Sequence, residues 1–192
     1  MLTTHGKPSY LPALLLWLLI VFFRCPVFSQ QQTTDILYML YAKANSDTQR
    51  INLLLKIAGS HRFSEPDSCL YLAGKALLES RSQKYRQGEG YALHTLGAAQ
   101  DMLGNYDSAL YYFRSSLDVF EKEKIKKGKA AALLSIGGYY YYKSDFIQAA
   151  DYMLQSLRIA EEINDKESMA SACNNLGAVY TDKKDYTNAL FY

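Results

Sequence analysis

Leu96-Gly97, Ile136-Gly137 and Leu176-Gly177 recur at a step of forty residues, and several other features keep the same step. Ala109, Ala149 and Ala189 each follow a glycine by twelve residues. Tyr106, Phe146 and Tyr186 stand three residues before those alanines, each preceded by a short polar residue, Asn105, Asp145 or Asp185. A weaker copy lies upstream, where Asp67-Ser68-Cys69-Leu70-Tyr71 aligns with Asp107-Ser108-Ala109-Leu110-Tyr111 and Ile57 takes the glycine place. A period of this length constrains the fold more than any composition does. One such unit buries too little apolar surface to stand alone, so the units must stack on their neighbours.

Within each unit the apolar spacing is three and four, the signature of one helical face. Leu93, Leu96, Gly97 and Gln100 form one stripe, and Ala109, Leu110, Phe113 and Leu117 the next. The third unit repeats this with Leu133, Ile136, Gly137 and Tyr140, then Ala149, Met153 and Leu157. Asn105 and Asp145 are placed to cap the second helix of their units through their side-chain oxygens. Small residues at Gly97, Ala109, Gly137 and Ala149 allow two helix axes to approach to about 8–10 Å. The fold class expected is all-α, with helices near 35–44, 47–61, 66–83, 87–103, 106–123, 127–143, 146–163, 167–182 and 186–192. The array is expected to span 47–192, in units of about 47–86, 87–126, 127–166 and a truncated 167–192, after a lead-in segment over 30–46.

Charge narrows the function classes. The chain holds 21 Lys plus Arg against 19 Asp plus Glu. Lys7 and Arg24 lie in an acid-free stretch, so the remainder is balanced. A neutral body offers no electrostatic pull toward nucleic acid or an anionic membrane. The lysine-rich run Lys122–Lys129 is offset by Glu121 and Glu123 and reads as a solvated connection. Residues 11–23 form an apolar run too short for a membrane span, which needs about 20 residues. With Val27 and Ser29 after it, the run fits a signal peptide over 1–29, cleaved to leave Gln30. The alternative is an uncleaved anchor formed by 11–23. Cys25 follows Phe22-Phe23-Arg24, which argues against lipid attachment. The expected location is therefore periplasmic or extracellular, with no membrane insertion of the mature body. Cys69 and Cys173 do not make a disulfide framework. Both occupy packing positions of different units and are expected to remain unbridged.

The Leu-Gly pair, the following tyrosine and the later alanine and aromatic resemble the tetratricopeptide repeat family. Leu96-Gly97, Ala109 and Phe113 carry the resemblance in one unit, Gly137, Tyr140 and Ala149 in the next, and Leu176-Gly177, Tyr180 and Ala189 in the last. The tryptophan place holds Leu93, Leu133 or Cys173, the closing proline place holds Glu121 or Glu161, and the period is longer than that family's usual one of about 34. The resemblance implies a right-handed superhelical solenoid of antiparallel helix pairs whose first helices line a concave groove. It further implies a non-catalytic scaffold that binds a protein or peptide. Extended repeats of this kind resemble those of exported bacterial signalling proteins. The alternative function is therefore the sensory segment of a histidine kinase or transcription regulator whose effector domain lies beyond this chain.

The groove stripe expected from this register is Tyr91, His94, Ala98 and Asp101 in one unit. It continues through Ala131, Leu134, Gly138, Tyr141 and Tyr142, then Ser171, Asn174, Ala178 and Thr181. Tyr91, His94, Asp101, Leu134, Tyr141, Tyr142, Ser171 and Asn174 are the candidate partner contacts. Within the family, a carboxylate clamp uses basic residues and an asparagine. Tyr91, Ala131 and Ser171 stand where the basic residues belong, so that clamp is not expected despite Asn174. In the run Tyr139–Tyr142, successive residues turn by about 100°, so they cannot share one face. No catalytic constellation emerges. Gly88-Glu89-Gly90 lacks the strand and third glycine of a phosphate cradle and reads as an inter-helix turn. His94 and Asp101 are seven residues apart, about 10 Å along a helix, too far for a hydrogen bond. His61 is expected solvated in a loop. No enzyme activity, metal or cofactor is expected. The apolar stretch Ala189–Tyr192 predicts a truncated array end, the least stable part of the chain, with a tendency to self-associate.

Overall fold

The computed structural model describes residues 33–192. Its helices are α1 (33–42), α2 (Asp47–His61), α3 (Pro66–Ser82), α4 (Arg86–Met102), α5 (Tyr106–Lys122), α6 (Lys126–Tyr142), α7 (Phe146–Glu162), α8 (Lys166–Asp182) and α9 (Tyr186–Phe191). No strand occurs among the described residues. The helices from α2 onward fall within a residue of their expected bounds, and α1 ends at 42, two residues before its expected end at 44. The expected leader over 1–29 lies outside the described residues.

From α3 through α8 every helix has 17 residues. Each link has three residues, so the chain repeats its geometry twice per unit. The device is a left-handed residue that closes each helix. Lys84, Gly104, Lys124, Ser144, Asn164 and Lys184 all have positive φ. In each link the next amide reaches back to the last turn, as Tyr85 N does to Ser80 O at 2.8 Å and Ile125 N to Phe120 O at 2.8 Å. The left-handed residue itself donates one position inward, as Lys84 N does to Arg81 O at 3.1 Å. These paired bonds satisfy carbonyls that a helix end would leave orphaned. Gly104 adopts this conformation freely, whereas a side-chain-bearing residue pays for it.

Helix starts vary more. Asp145 and Asp185 accept from the amides of Gln148 and Asn188, at 3.1 and 3.2 Å. Asp165 likewise accepts from Ser168 N. Asn105 does not cap α5, contrary to expectation. Its side-chain amide donates instead to Gln100 Oε1 at 2.9 Å, so the neighbouring glutamine has captured it.

The core follows the small-residue places. A Cβ built on Gly97 would lie 2.6 Å from the Phe113 ring and 3.2 Å from the Ala109 carbonyl. On Gly137 it would lie 2.8 Å from Met153 Cγ and 3.1 Å from the Ala149 carbonyl. In both units the glycine therefore receives a large side chain and a backbone from its paired helix. The first unit exchanges the bulk. Ile57 stands in the glycine place and Ala73 in the place of Phe113 and Met153, and both are fully buried. Cys69 fills the alanine place, buried, with its thiol pushed up to about 11 by that burial. Such a thiol is a packing group and not a nucleophile. Cys69 and Cys173 are both free.

Successive units close through the ends of the second helices. Phe120 at the end of α5 is completely buried. Its ring fills the space that Cβ atoms on Gly90 and Gly128 would occupy, at 2.6 and 2.5 Å. Gly88-Glu89-Gly90 is thus the first turn of α4 and not an inter-helix turn. Its glycines admit Tyr85, Ser80 and Phe120. Glu89 is engaged by Arg81 Nε at 3.0 Å and by Arg86. Among the described residues no helix is long and apolar enough to cross a membrane.

Candidate functional site

The first helices of successive units, α4, α6 and α8, lie side by side, and a cleft of about 280 Å³ opens on their shared face. Ala98, Asp101 and Met102 enter it from α4, Leu134, Ser135, Gly138 and Tyr142 from α6, and Asn175 from α8. Phe113 of α5 closes its base, and Arg62 and Phe63 overhang it from the link between α2 and α3. The floor is low because its residues are small. A Cβ on Gly138 would meet nothing within 4 Å, in contrast to Gly137 one residue earlier.

Asp101, Leu134 and Tyr142 are the expected contacts that the fold brings together here. Tyr142 is 58% exposed and stacks on Tyr106, ring centroids 5.1 Å apart. The other expected contacts are elsewhere. Tyr91 packs edge-on against Phe120 at 5.0 Å, and burial raises its phenol pKa. His94 reaches across to α6, where Nε2 lies 3.0 Å from Ser135 Oγ. Its ring also leans on Phe113 at 5.4 Å. Burial pulls its pKa down to about 4, so the ring is neutral at pH 7. Tyr141 donates to Asp182 Oδ2 at 2.6 Å and ties α6 to α8. Long polar side chains on the groove stripe thus span to the next first helix rather than await a partner. Ser171 and Asn174 are exposed outside the cleft. Asn175 takes the lining position and donates to the Ser171 carbonyl at 2.8 Å.

Arg62 and Phe63 were absent from the expected stripe because they follow the last residue of α2. The period would have found Arg62, since it precedes Met102 by forty residues and Tyr142 by eighty. All of these residues line the cleft. His61 also differs from expectation. It is the last residue of α2, mostly buried, with Nδ1 3.5 Å from Glu65.

The remaining tyrosines of the run serve packing. Tyr140 stacks on Tyr152 at 5.4 Å and accepts from Arg114, and Tyr139 donates to Asp107 at 3.0 Å. Forty residues on, Tyr180 stacks on Tyr192 at 5.6 Å in the same parallel manner.

No protein-family model matches the sequence, and no curated protein matches it either. Solved structures do match. BtubC (BKLC) from P. vanneervenii has a TM-score of 0.65 at 16% identity, over 86% of this chain and 71% of that one. A Rap protein complexed with Competence and Sporulation Factor has a TM-score of 0.75 at 18% identity, over 85% of this chain and 47% of that one. Aspartyl phosphate phosphatase F from Bacillus subtilis has a TM-score of 0.62 at 15% identity, over 86% and 54%. The chain spans about half the length of the Rap structures it matches. At these identities the likeness concerns the fold, and the fold is that of the tetratricopeptide-like helical-repeat proteins.

Proposed function

We propose that this chain is an exported, non-catalytic repeat scaffold that binds a protein or peptide in the cleft between α4, α6 and α8. The observation that carries the reading is the contrast within α6. Gly137 is filled by its paired helix, while Gly138 opens onto an aromatic and polar cleft that no part of the described chain occupies. Convergent polar groups over an apolar base are the usual make-up of a binding site. The Rap structure, whose fold this chain shares, was crystallised with Competence and Sporulation Factor bound, which supports a binding role for such an array.

The test is a selection of peptides from a random displayed library against the full chain. Affinities are then measured for the wild type and for Gly138→Phe. Phenylalanine there fills the cleft without meeting the packed face, so binding should fall at least tenfold. Unchanged affinity would move the site away from this cleft. The export half of the proposal rests on the apolar run over 11–23. Fusing residues 1–29 to a reporter active only outside the cytoplasm should give activity and a processed product beginning at Gln30. Retention inside the cell would overturn it.

A further inference from the structure

Arg62 and Asp101 share the cleft, and among the described residues neither has an ion-pair or side-chain hydrogen-bond partner. The Arg62 Nε is buried without a hydrogen bond among those residues. Its guanidinium carbon lies 4.4 Å over the ring of the adjacent Phe63. Stacking on a ring orients the planar guanidinium, whose two terminal nitrogens can bind a carboxylate through parallel hydrogen bonds. Arg62 lines the cleft without an ion-paired carboxylate among the described residues, so a carboxylate entering the cleft would meet an uncompensated cation.

Asp101 lies in the last turn of α4, at the negative end of the helix dipole, where an acid is unfavourable. α4 has no basic residue in that turn to offset it. Burial raises the carboxyl pKa, and the nearby charge of Arg62 opposes the rise without an ion pair forming. Neither residue therefore earns its place through folding. Ala98 and Gly138 also line the cleft and are small enough for a ligand backbone to lie close.

We propose that the cleft takes a short peptide segment carrying both a carboxylate and a cationic group, the carboxylate held by Arg62 and the cation by Asp101. The proposal rests on the cleft being the binding site. A phosphate or a purely acidic ligand is disfavoured, because Asp101 repels it and, among the described residues, Arg62 alone of the cleft lining is cationic. The volume of about 280 Å³ lies at the lower limit of small-ligand sites, which suits a short segment and not a whole helix.

The experiment uses the full chain and four pools of fluorescent random pentapeptides. One pool contains an acid and a base, one an acid, one a base, and one neither. Fluorescence anisotropy on the wild type should rank the mixed pool tightest. Arg62→Gln should weaken the acid-containing pools about tenfold and leave the neutral pool unchanged. Asp101→Asn should do the same to the base-containing pools. Neither residue has a side-chain bond to lose, so both variants should melt at or slightly above the wild-type temperature. Equal binding of all pools by the wild type would overturn the proposal without use of any variant. So would variants that weaken every pool by the same factor. If Gly138→Phe still blocks binding in either case, the cleft stands and only its charge preference fails. If Gly138→Phe leaves all pools bound, the cleft itself is the wrong site.

Discussion

Gly137 and Gly138 are adjacent in one helix and have opposite surroundings. A Cβ on the first would press on Met153 and the Ala149 backbone, and a Cβ on the second would meet nothing within 4 Å. The first belongs to a face that recurs at Gly97 with Phe113, so it answers to packing. The second belongs to a face whose places change from unit to unit, as Asp101, Tyr141 and Thr181 do. The same residue type thus marks a structural requirement in one direction and an opening in the other. Repetition identifies the packing face, and departure from repetition identifies the surface free to recognise something.

The largest effect should come from removing a side chain on the packing face. Phe120 is fully enclosed, with Gly90 and Gly128 bare against its ring. Phe120→Ala should cost about 3–5 kcal/mol in denaturant unfolding, because the two glycines against the ring bring no side chain into the void. A loss below about 1 kcal/mol would mean that the inter-unit junction is not where the array is held.

His94 sharpens the comparison, because it lies on the groove stripe and yet behaves as a packing residue. Its folded pKa of about 4 lies below the ordinary value of 6.5, with burial as the main cause and the charge of Arg62 acting in the same direction. A hydrogen bond to the Ala131 carbonyl partly opposes them. Above pH 6.5 the ring is neutral in both states and its contribution is complete. As the pH falls from 6.5 toward 4, the unfolded chain gains the proton first and stability is lost, by up to about 3 kcal/mol. His94→Gln should flatten that part of the stability–pH curve. An unchanged curve would return His94 to the solvent-facing groove.

The smallest effect concerns the links. Gly104 and Lys124 occupy the same place in successive links, both with positive φ. Lys124→Gly removes the left-handed penalty at the cost of extra chain entropy and should stabilise by about 0.5–1 kcal/mol. The same change at Lys75, exposed inside α3, should destabilise by a similar amount. A loss of stability at Lys124 would contradict the repeated helix-closing geometry.

Much of the fold was legible because the packing face is periodic. The Leu-Gly and alanine places set the register, and the helices followed from it. What escaped was decided by side-chain competition, which a pattern does not record. Asn105 looks like Asp145 in sequence, but Gln100 holds its amide. The first unit departs from the sequence pattern at Ile57 because it exchanges bulk with Ala73 across the helix pair. The candidate site was less legible. Leu134, Tyr142 and Asp101 follow from helical spacing alone. His94 and Tyr141 share that spacing, but their reach lets them bond to Ser135 and Asp182 on the next first helix. Arg62 and Phe63 were hidden by their place at a helix end, although the period put Arg62 in line with Met102 and Tyr142.

The division between the faces of α6 is tested most directly by placing the same large residue at both glycines. Gly137→Leu and Gly138→Leu are compared by thermal melting and by binding of a peptide selected on the wild type. Gly137→Leu should lose about 1–3 kcal/mol through overpacking and melt several degrees lower. Gly138→Leu should melt at or slightly above the wild-type temperature, since leucine favours the helix by roughly 1 kcal/mol over glycine, and it should lose peptide binding. Equal melting temperatures for the two variants, or full binding by Gly138→Leu, would contradict the account.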